Sequence, residues 1–410
     1  GLMIPGLFAA VIGFFVFRSR VKGVFFAILT QALTLAVWLV FTMNQTMLCG
    51  TNGLTRFETV GPFTPDETSS KLKLTLFVSL LIGLQRSLLD LAESNQQVVI
   101  PGYTHLQKAQ PVLFAHHMLA YFEMFDRDCV RFGQTKDSAD VMPLGSGALA
   151  GLPYDIDREY VAKELGFSRI TANSMDAVSD RDFIIDFLSA AATCSMHLSR
   201  LAEEFILWST EEFSMVNISD EYTTGSSIMP QKRNPDFAEI ARGKTGRVFG
   251  NLIGFLTTMK GLPLTYNRDM QEDKESFFDS YDTLYSTLSA FIGMVDGLSV
   301  KDDEVRTSAE GGLLLATDIA DYLVGKGLTF RESHYIVGQI SNYVLSKDIS
   351  FRDLTLEEYT DFSEIFEKDV YEISVHTSLN SRDVPGGTAA NRVQDALRES
   401  RLRLESGRFE

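Results

Sequence analysis

The sequence predicts an all-α protein, a bundle of long helices preceded by a hydrophobic helical hairpin. Three observations carry this. Apolar residues recur three, four and seven apart through most of the chain after Lys71. The period-two alternation that marks strands is scarce. Two long apolar runs, parted by a basic cluster, occupy the start of the chain.

The hairpin comes first in the chain. An apolar stretch from Leu2 to Phe17 is followed by Arg18, Arg20 and Lys22, and then by 21 uncharged residues from Gly23 to Met43. As a helix this second run spans about 32 Å, against a hydrocarbon core of roughly 30 Å. Its lack of a polar stripe argues against a buried core helix, and its length and internal cations argue against a cleaved leader. The expectation is membrane contact through residues 2–43, with the basic cluster in a cytoplasmic loop. The stretch "FRSRVKGVFFAILTQALTLAVWLVFTMNQTMLCGTNGLT" resembles permease subunits of bacterial ABC importers for urea and branched-chain amino acids. It covers only a fragment of such a subunit. "GPFTPDETSS", residues 61–70, has the composition of a junction.

The body follows. Helices are expected at about 72–97, 111–134, 182–210, 236–260, 271–297, 313–326 and 331–346, with Pro143, Pro263 and Pro385 interrupting the pattern. In the third of these, Ile184, Phe187, Leu188, Ala191, Leu198, Leu201, Phe205 and Trp208 line one face. The expected division is 1–60 hydrophobic segment, 61–70 junction, 71–300 central bundle and 301–410 C-terminal helical domain. Surplus apolar helix faces point to an oligomer.

Charge and cysteine content narrow the function. The formal net charge is −17; Arg18, Arg20, Lys22 and Arg56 against Glu58, Asp66 and Glu67 leave residues 1–70 at +1, so the rest carries −18. Such a surface repels phosphate backbones, which argues against nucleic acid as a partner. Cys49, Cys129 and Cys194 have no metal-ligand spacing and form no even framework, as suits a reducing, cytoplasmic setting for the body.

Three stretches break the helical pattern with polar residues. "PGYTHLQKAQPV", residues 101–112, is bounded by prolines, reads as a loop and carries Tyr103, Thr104, His105 and Gln107. "TTGSSIMPQKRNPDFAEI", residues 223–240, offers Gly225 as a permissive turn residue, amides for a carboxylate-binding nest, and Lys232 beside them. "TYNRDMQEDKE", residues 265–275, puts Gln271 and Lys274 three apart on one helix face, although alone it reads as solvated charged surface. Together they suit a substrate bearing carboxylates, gripped by Lys232, Lys274, Gln271 and loop amides while Ser226 or His105 moves a proton. Serine can act as a base where cations and oriented N–H groups stabilise its alkoxide. The chain has no Gly-x-Ser-x-Gly elbow, phosphate loop, dinucleotide fingerprint or His-Glu-x-x-His.

With "PGYTHLQKAQPV", "LGSGALAG", "NSMDAVSDRDF", "GSSIMPQKRNPD", "YNRDMQEDKE" and "ATDIADYLVGKG" in this order, the region from about Lys71 to Leu404 resembles the fumarase and aspartase superfamily, and its argininosuccinate lyase branch in particular. The resemblance implies a homotetramer with a twenty-helix core. It implies reversible elimination of fumarate from argininosuccinate, leaving arginine, with no metal or organic cofactor. It assigns Ser226 to removing the proton next to a carboxylate, and Lys232 and the loop amides to stabilising the resulting aci-carboxylate. The same resemblance implies that Asn234 helps fix the loop. His105, oriented by Glu239, serves the other proton transfer, an assignment that can also be reversed with that of Ser226. By the same resemblance Thr104, Tyr266, Gln271 and Lys274 are expected to bind substrate.

The chain departs from the family where a block reading His-Thr-Gly-Arg-Ser-Arg-Asn-Asp is expected, just before the helix near Lys71. That departure implies impaired turnover. It keeps two other readings open: a non-catalytic, crystallin-like homologue and a membrane-anchored fusion fragment.

Overall fold

Five long helices form the body of the computed structural model, which describes residues 68–310 and 313–406. They are α1 (Thr68–Ser94), α2 (Phe114–Ala139), α5 (Asp182–Trp208), α6 (Asp236–Met259) and α7 (Asp273–Asp296). The chain separates into two units at Ser69, and the second, Ser70–Glu410, carries this fold. The hydrophobic hairpin, its membrane contact at residues 2–43 and the junction at 61–70 fall almost wholly outside the described residues. Among those described, no helix is long and apolar enough to cross a membrane.

Helix α5 lies at the centre, against α2, α6 and α7. All eight apolar residues expected along its face are buried. Phe77 of α1 ties the layers together: its ring lies 5.6 Å from Phe132 of α2, 6.0 Å from Phe187 of α5 and 4.7 Å from Tyr281 of α7. Ring pairs at such separations add to the area they bury. One charged group sits inside this apolar layer. Asp128, with no exposed surface, meets His197 Nδ1 at 2.7 Å and Arg131 Nη1 at 2.8 Å, so the buried carboxylate is paired on both oxygens.

Short strands connect the helices. β1 (Val99–Thr104) and β2 (Gln107–Leu113) form an antiparallel hairpin, and the two-residue strands β3 (Val141–Met142) and β4 (Arg169–Ile170) pair in parallel. β5 (Val216–Asn217) pairs with β8 (Ser299–Val300), and β6 (Thr224–Gly225) with β7 (Arg233–Asn234). The expectation of a loop at residues 101–112 is therefore corrected. Pro101 and Pro111 do not break the strands because they face each other across a two-stranded ribbon whose outer edges need no donors.

Between β3 and β4 the "LGSGALAG" stretch is an irregular loop. A Cβ on Gly147, whose φ is 62°, would lie 2.8 Å from the Gly151 carbonyl oxygen, so only glycine fits. Arg158, at the start of α3 (Arg158–Glu164), donates to the carbonyls of Leu144 and Thr171 and fastens the loop. α4 (Ser174–Ser179) is capped by Asn173, whose side chain accepts from the amides of Met175 and Asp176.

The C-terminal part is built from short helices: α8 (Asp302–Glu310), α9 (Ala316–Gly325), α10 (Phe330–Lys347), α11 (Leu356–Phe362) and α12 (Val375–Asn380). Leu323, Ile340, Val344, Phe351 and Tyr359 make a separate apolar cluster there. Capping boxes at Thr329–Glu332 and Thr355–Glu358 start α10 and α11. α13 (Ala390–Glu405) returns to the main body, where Val393 and Leu397 join its core and Arg401 pairs with Asp90 and Glu93.

Candidate active site

Strands β6 and β7 close the base of the "GSSIMPQKRNPD" segment, the signature loop, pairing Thr224 with Asn234 and Gly225 with Arg233. Thr224 Oγ1 donates to Asp236, and Arg233 pairs with Asp220, so both sides of the base are tied. The seven residues between, Ser226 to Lys232, form an exposed tip on which Ile228 is 85% accessible. Ser226 is the half-buried exception. Its Oγ accepts the amide of Met229 at 3.1 Å and that of Ile228 at 3.3 Å. The loop amides thus converge on the serine oxygen itself. Gly225 has no left-handed backbone, and a Cβ there would meet nothing within 4 Å. The permissive turn expected of it is replaced by an ordinary strand position.

Thr104 and His105 lie at the tip of the β1–β2 hairpin, where His105 and Leu106 form the two-residue connection with φ of 54° and 56°. The tip is exposed, and His105 has no side-chain hydrogen-bond partner among the described residues. The hairpin's flank is held: Lys108 Nζ donates to the Ser308 hydroxyl at 2.7 Å and to its carbonyl at 3.1 Å. Burial lowers the Lys108 pKa and raises that of Tyr103, whose ring packs tilted against Phe213 with centroids 5.4 Å apart.

The third stretch leads into α7. Thr265 has a φ of 73°, a left-handed conformation that a β-branched residue resists, and it turns the chain so that Tyr266 projects. Gln271 Nε2 donates to Tyr266 Oη at 2.5 Å. Gln271 belongs to a 3₁₀ turn, Arg268–Glu272, and Lys274 to α7, so the single helix face expected for the pair is divided between two elements. The segment is also less solvated than its charge suggests. Asp273 is 4% exposed, and its carboxylate accepts Arg181 Nε at 2.8 Å and Lys274 Nζ at 2.8 Å. Sequence reasoning missed Asp273 and Arg181, although both lie inside quoted motifs.

Within one chain, then, Ser226, Lys232 and Asn234 share one hairpin, Tyr266 and Gln271 share a hydrogen bond, and Lys274 stands beside them in sequence. His105 and Thr104 stand on another hairpin, and Glu239 is exposed on the first turn of α6. Among the described residues no hydrogen bond or ion pair joins His105 to Ser226 or to Glu239. Nor do they contain a group of three or more His, Cys, Asp or Glu side chains able to hold a metal ion.

A family profile described as Lyase matches residues 68–250, and one described as Argininosuccinate lyase C-terminal matches residues 313–380. Neither reaches residues 1–67, so the permease resemblance there draws no support from them. The argininosuccinate lyase of Dehalococcoides mccartyi strain CBDB1 is 55% identical over 343 residues, 83% of this chain and 72% of the relative. That of Moorella thermoacetica is 54% identical over 323 residues, 78% of this chain and 70% of the relative. Among solved structures, EDDS lyase in complex with formate matches with a TM-score of 0.76 at 25% identity, over 82% of this chain and 69% of that one. The 3-carboxy-cis,cis-muconate lactonizing enzyme from Pseudomonas putida matches with a TM-score of 0.70 at 21% identity, over 82% and 74%, which speaks to the fold alone.

Proposed function

Because the chain belongs to the argininosuccinate lyase family, we propose that it is a carbon–nitrogen lyase that eliminates fumarate from argininosuccinate and leaves arginine. A proton leaves the succinyl carbon next to a carboxylate. The electron pair becomes the double bond of fumarate as the carbon–nitrogen bond breaks, and the departing guanidino nitrogen takes up a proton.

The observation that carries the assignment of roles is the pair of amides on Ser226 Oγ, at 3.1 and 3.3 Å. Two N–H donors aimed at one hydroxyl oxygen favour its alkoxide, the form a serine base needs. Lys232 closes the same tip and brings the positive charge that an aci-carboxylate calls for. His105 serves the other proton transfer with Glu239 as its partner, and Thr104, Asn234, Tyr266, Gln271 and Lys274 hold the substrate.

Assembly of four copies belongs to the same proposal, because His105 and Ser226 are not joined within one chain. What supports it is the outward face of α6. Phe237, Ile240, Phe249, Ile253 and Leu256 are exposed there, and a Cβ on Gly243, Gly246, Gly250 or Gly254 would meet nothing within 4 Å. A face that is both apolar and open lets another helix approach closely. The division near residue 300 is supported by the separate C-terminal cluster, with α13 as the segment that returns.

The test is direct. Purified protein is incubated with argininosuccinate and fumarate is followed by its ultraviolet absorbance, while light scattering gives the assembly size. Release of fumarate that disappears in Ser226→Ala is expected. Release no faster than in that variant would leave a non-catalytic homologue.

A further inference from the structure

The Arg181–Asp273–Lys274 cluster is placed where two helices begin, and it is built more carefully than a surface ion pair requires. Asp273 is the first residue of α7 and Arg181 directly precedes α5. The Asp273 side chain is 6% exposed and that of Arg181 18%, whereas Lys274 is 57% exposed. Arg181 also donates to the Asp180 carbonyl at 2.6 Å, which leaves its guanidinium little freedom. A buried carboxylate with one partner would remain poorly compensated; here each oxygen has a cation at 2.8 Å.

Neighbouring residues on a helix point about 100° apart, so Lys274 does not meet Asp273 by helical geometry. Its stem must curl back over the first turn. The helix dipole also disfavours a cation in that turn, so helix stability alone would not place a lysine there. A free lysine side chain loses rotamer entropy when a ligand fixes it, and the bond to Asp273 removes much of that freedom in advance.

We propose that Asp273 and Arg181 are positioning residues for Lys274. Arg181 neutralises one oxygen of the buried carboxylate, and the other holds the ammonium where a substrate carboxylate will meet it. The same clamp fixes the adjoining 3₁₀ turn, whose Met270 is fully buried and whose Gln271 holds Tyr266. The inference rests on the reading of Lys274 as a substrate-binding group.

Two measurements test it, one without turnover. Asp273→Asn keeps the shape of the side chain and turns an amide N–H towards the ammonium. Amine-reactive labelling of Lys274, read by mass spectrometry against the other lysines, is expected to quicken about threefold in this variant. The KM for argininosuccinate is expected to rise about tenfold, with kcat changed far less. Lys274→Ala should add little to that KM in the Asp273→Asn background, because the two variants remove one interaction. Penalties that multiply, or labelling that does not change, would overturn the clamp. If labelling changes in a chain that releases no fumarate, the lyase reading fails and the clamp stands. Should Asp273→Asn not fold, Arg181→Gln combined with Asp273→Asn leaves no unpaired buried charge and takes its place, with the same outcomes.

Discussion

His105 and Leu106 follow one another in the left-handed region, with φ of 54° and 56°, at the tip of the β1–β2 hairpin. A two-residue connection of this kind favours Asn-Gly, and a leucine there costs on the order of 1 kcal/mol. The strain sits next to the imidazole assigned to proton transfer. His105→Asn places a residue well suited to that backbone but unable to move the proton. It is expected to lower kcat by about a hundredfold or more while the melting temperature holds or rises. A variant that loses stability and activity together would point to a structural role for the ring.

Ser226→Ala is expected to reduce kcat by at least about a hundredfold. The hydroxyl takes no part in the β6–β7 ladder, and the Ile228 and Met229 amides it releases lie in an exposed tip, so urea unfolding should barely shift. Circular dichroism beside the fumarate assay separates the two effects.

Acid should loosen the C-terminal helices. Hydrogen bonds from the Thr329 side chain hold Glu332 below its ordinary pKa, and the Ser350 side chain does the same for Asp353. Glu358 is lowered to about 2, first by the Thr355 amide and then by Tyr343 and Lys347. Depressed folded values mean that the stabilisation is complete above the unfolded carboxylate pKa and is lost as pH falls through the folded ones. Amides of residues 329–362 are expected to lose protection from hydrogen exchange between about pH 4.3 and 2. Glu358→Gln should show part of that loss already at neutral pH. Unchanged exchange across the window would remove these carboxylates as the cause.

Burial pushes the Cys129 thiol up, with Asp126 and Asp128 adding to the effect, and burial pushes the Cys194 thiol up as well. Neither should react with Ellman's reagent at pH 8 in the folded protein, and both should react in guanidinium. Rapid labelling of either without unfolding would show that the α2–α5 contact opens readily. Cys49 lies outside the described residues.

Removing the buried carboxylate at 128 strands His197 and frees Arg131. Asp128→Ala is expected to cost about 3 kcal/mol or more in urea unfolding, as breaking a buried ion pair does. A loss below about 1 kcal/mol would show that the pair is dispensable to the core.

The long helices were legible because their burial is periodic: Ile184 through Trp208 read off one face of α5 and lie inside it. The β1–β2 hairpin was not, because Pro101 and Pro111 are loop signals unless their register across a ribbon is known. The signature loop announced Ser226 and Lys232 by residue type. It gave no sign that the amides would converge on Ser226 Oγ, which depends on how the seven-residue tip closes. Asp273 looked like one more solvated acid in a charged run. Its partner Arg181 lies 92 residues earlier, and no local pattern reports a contact at that range. The short C-terminal helices owe their starts to capping boxes more than to apolar period, as at Thr355 and Glu358.

Four glycines in α6 weaken that helix by about 1 kcal/mol each relative to alanine, and among the described residues a Cβ on any of them would find only open space. Dilution should therefore act on this protein as a mild denaturant acts on others. Its melting temperature is expected to climb with concentration, and samples stored thin should inactivate first.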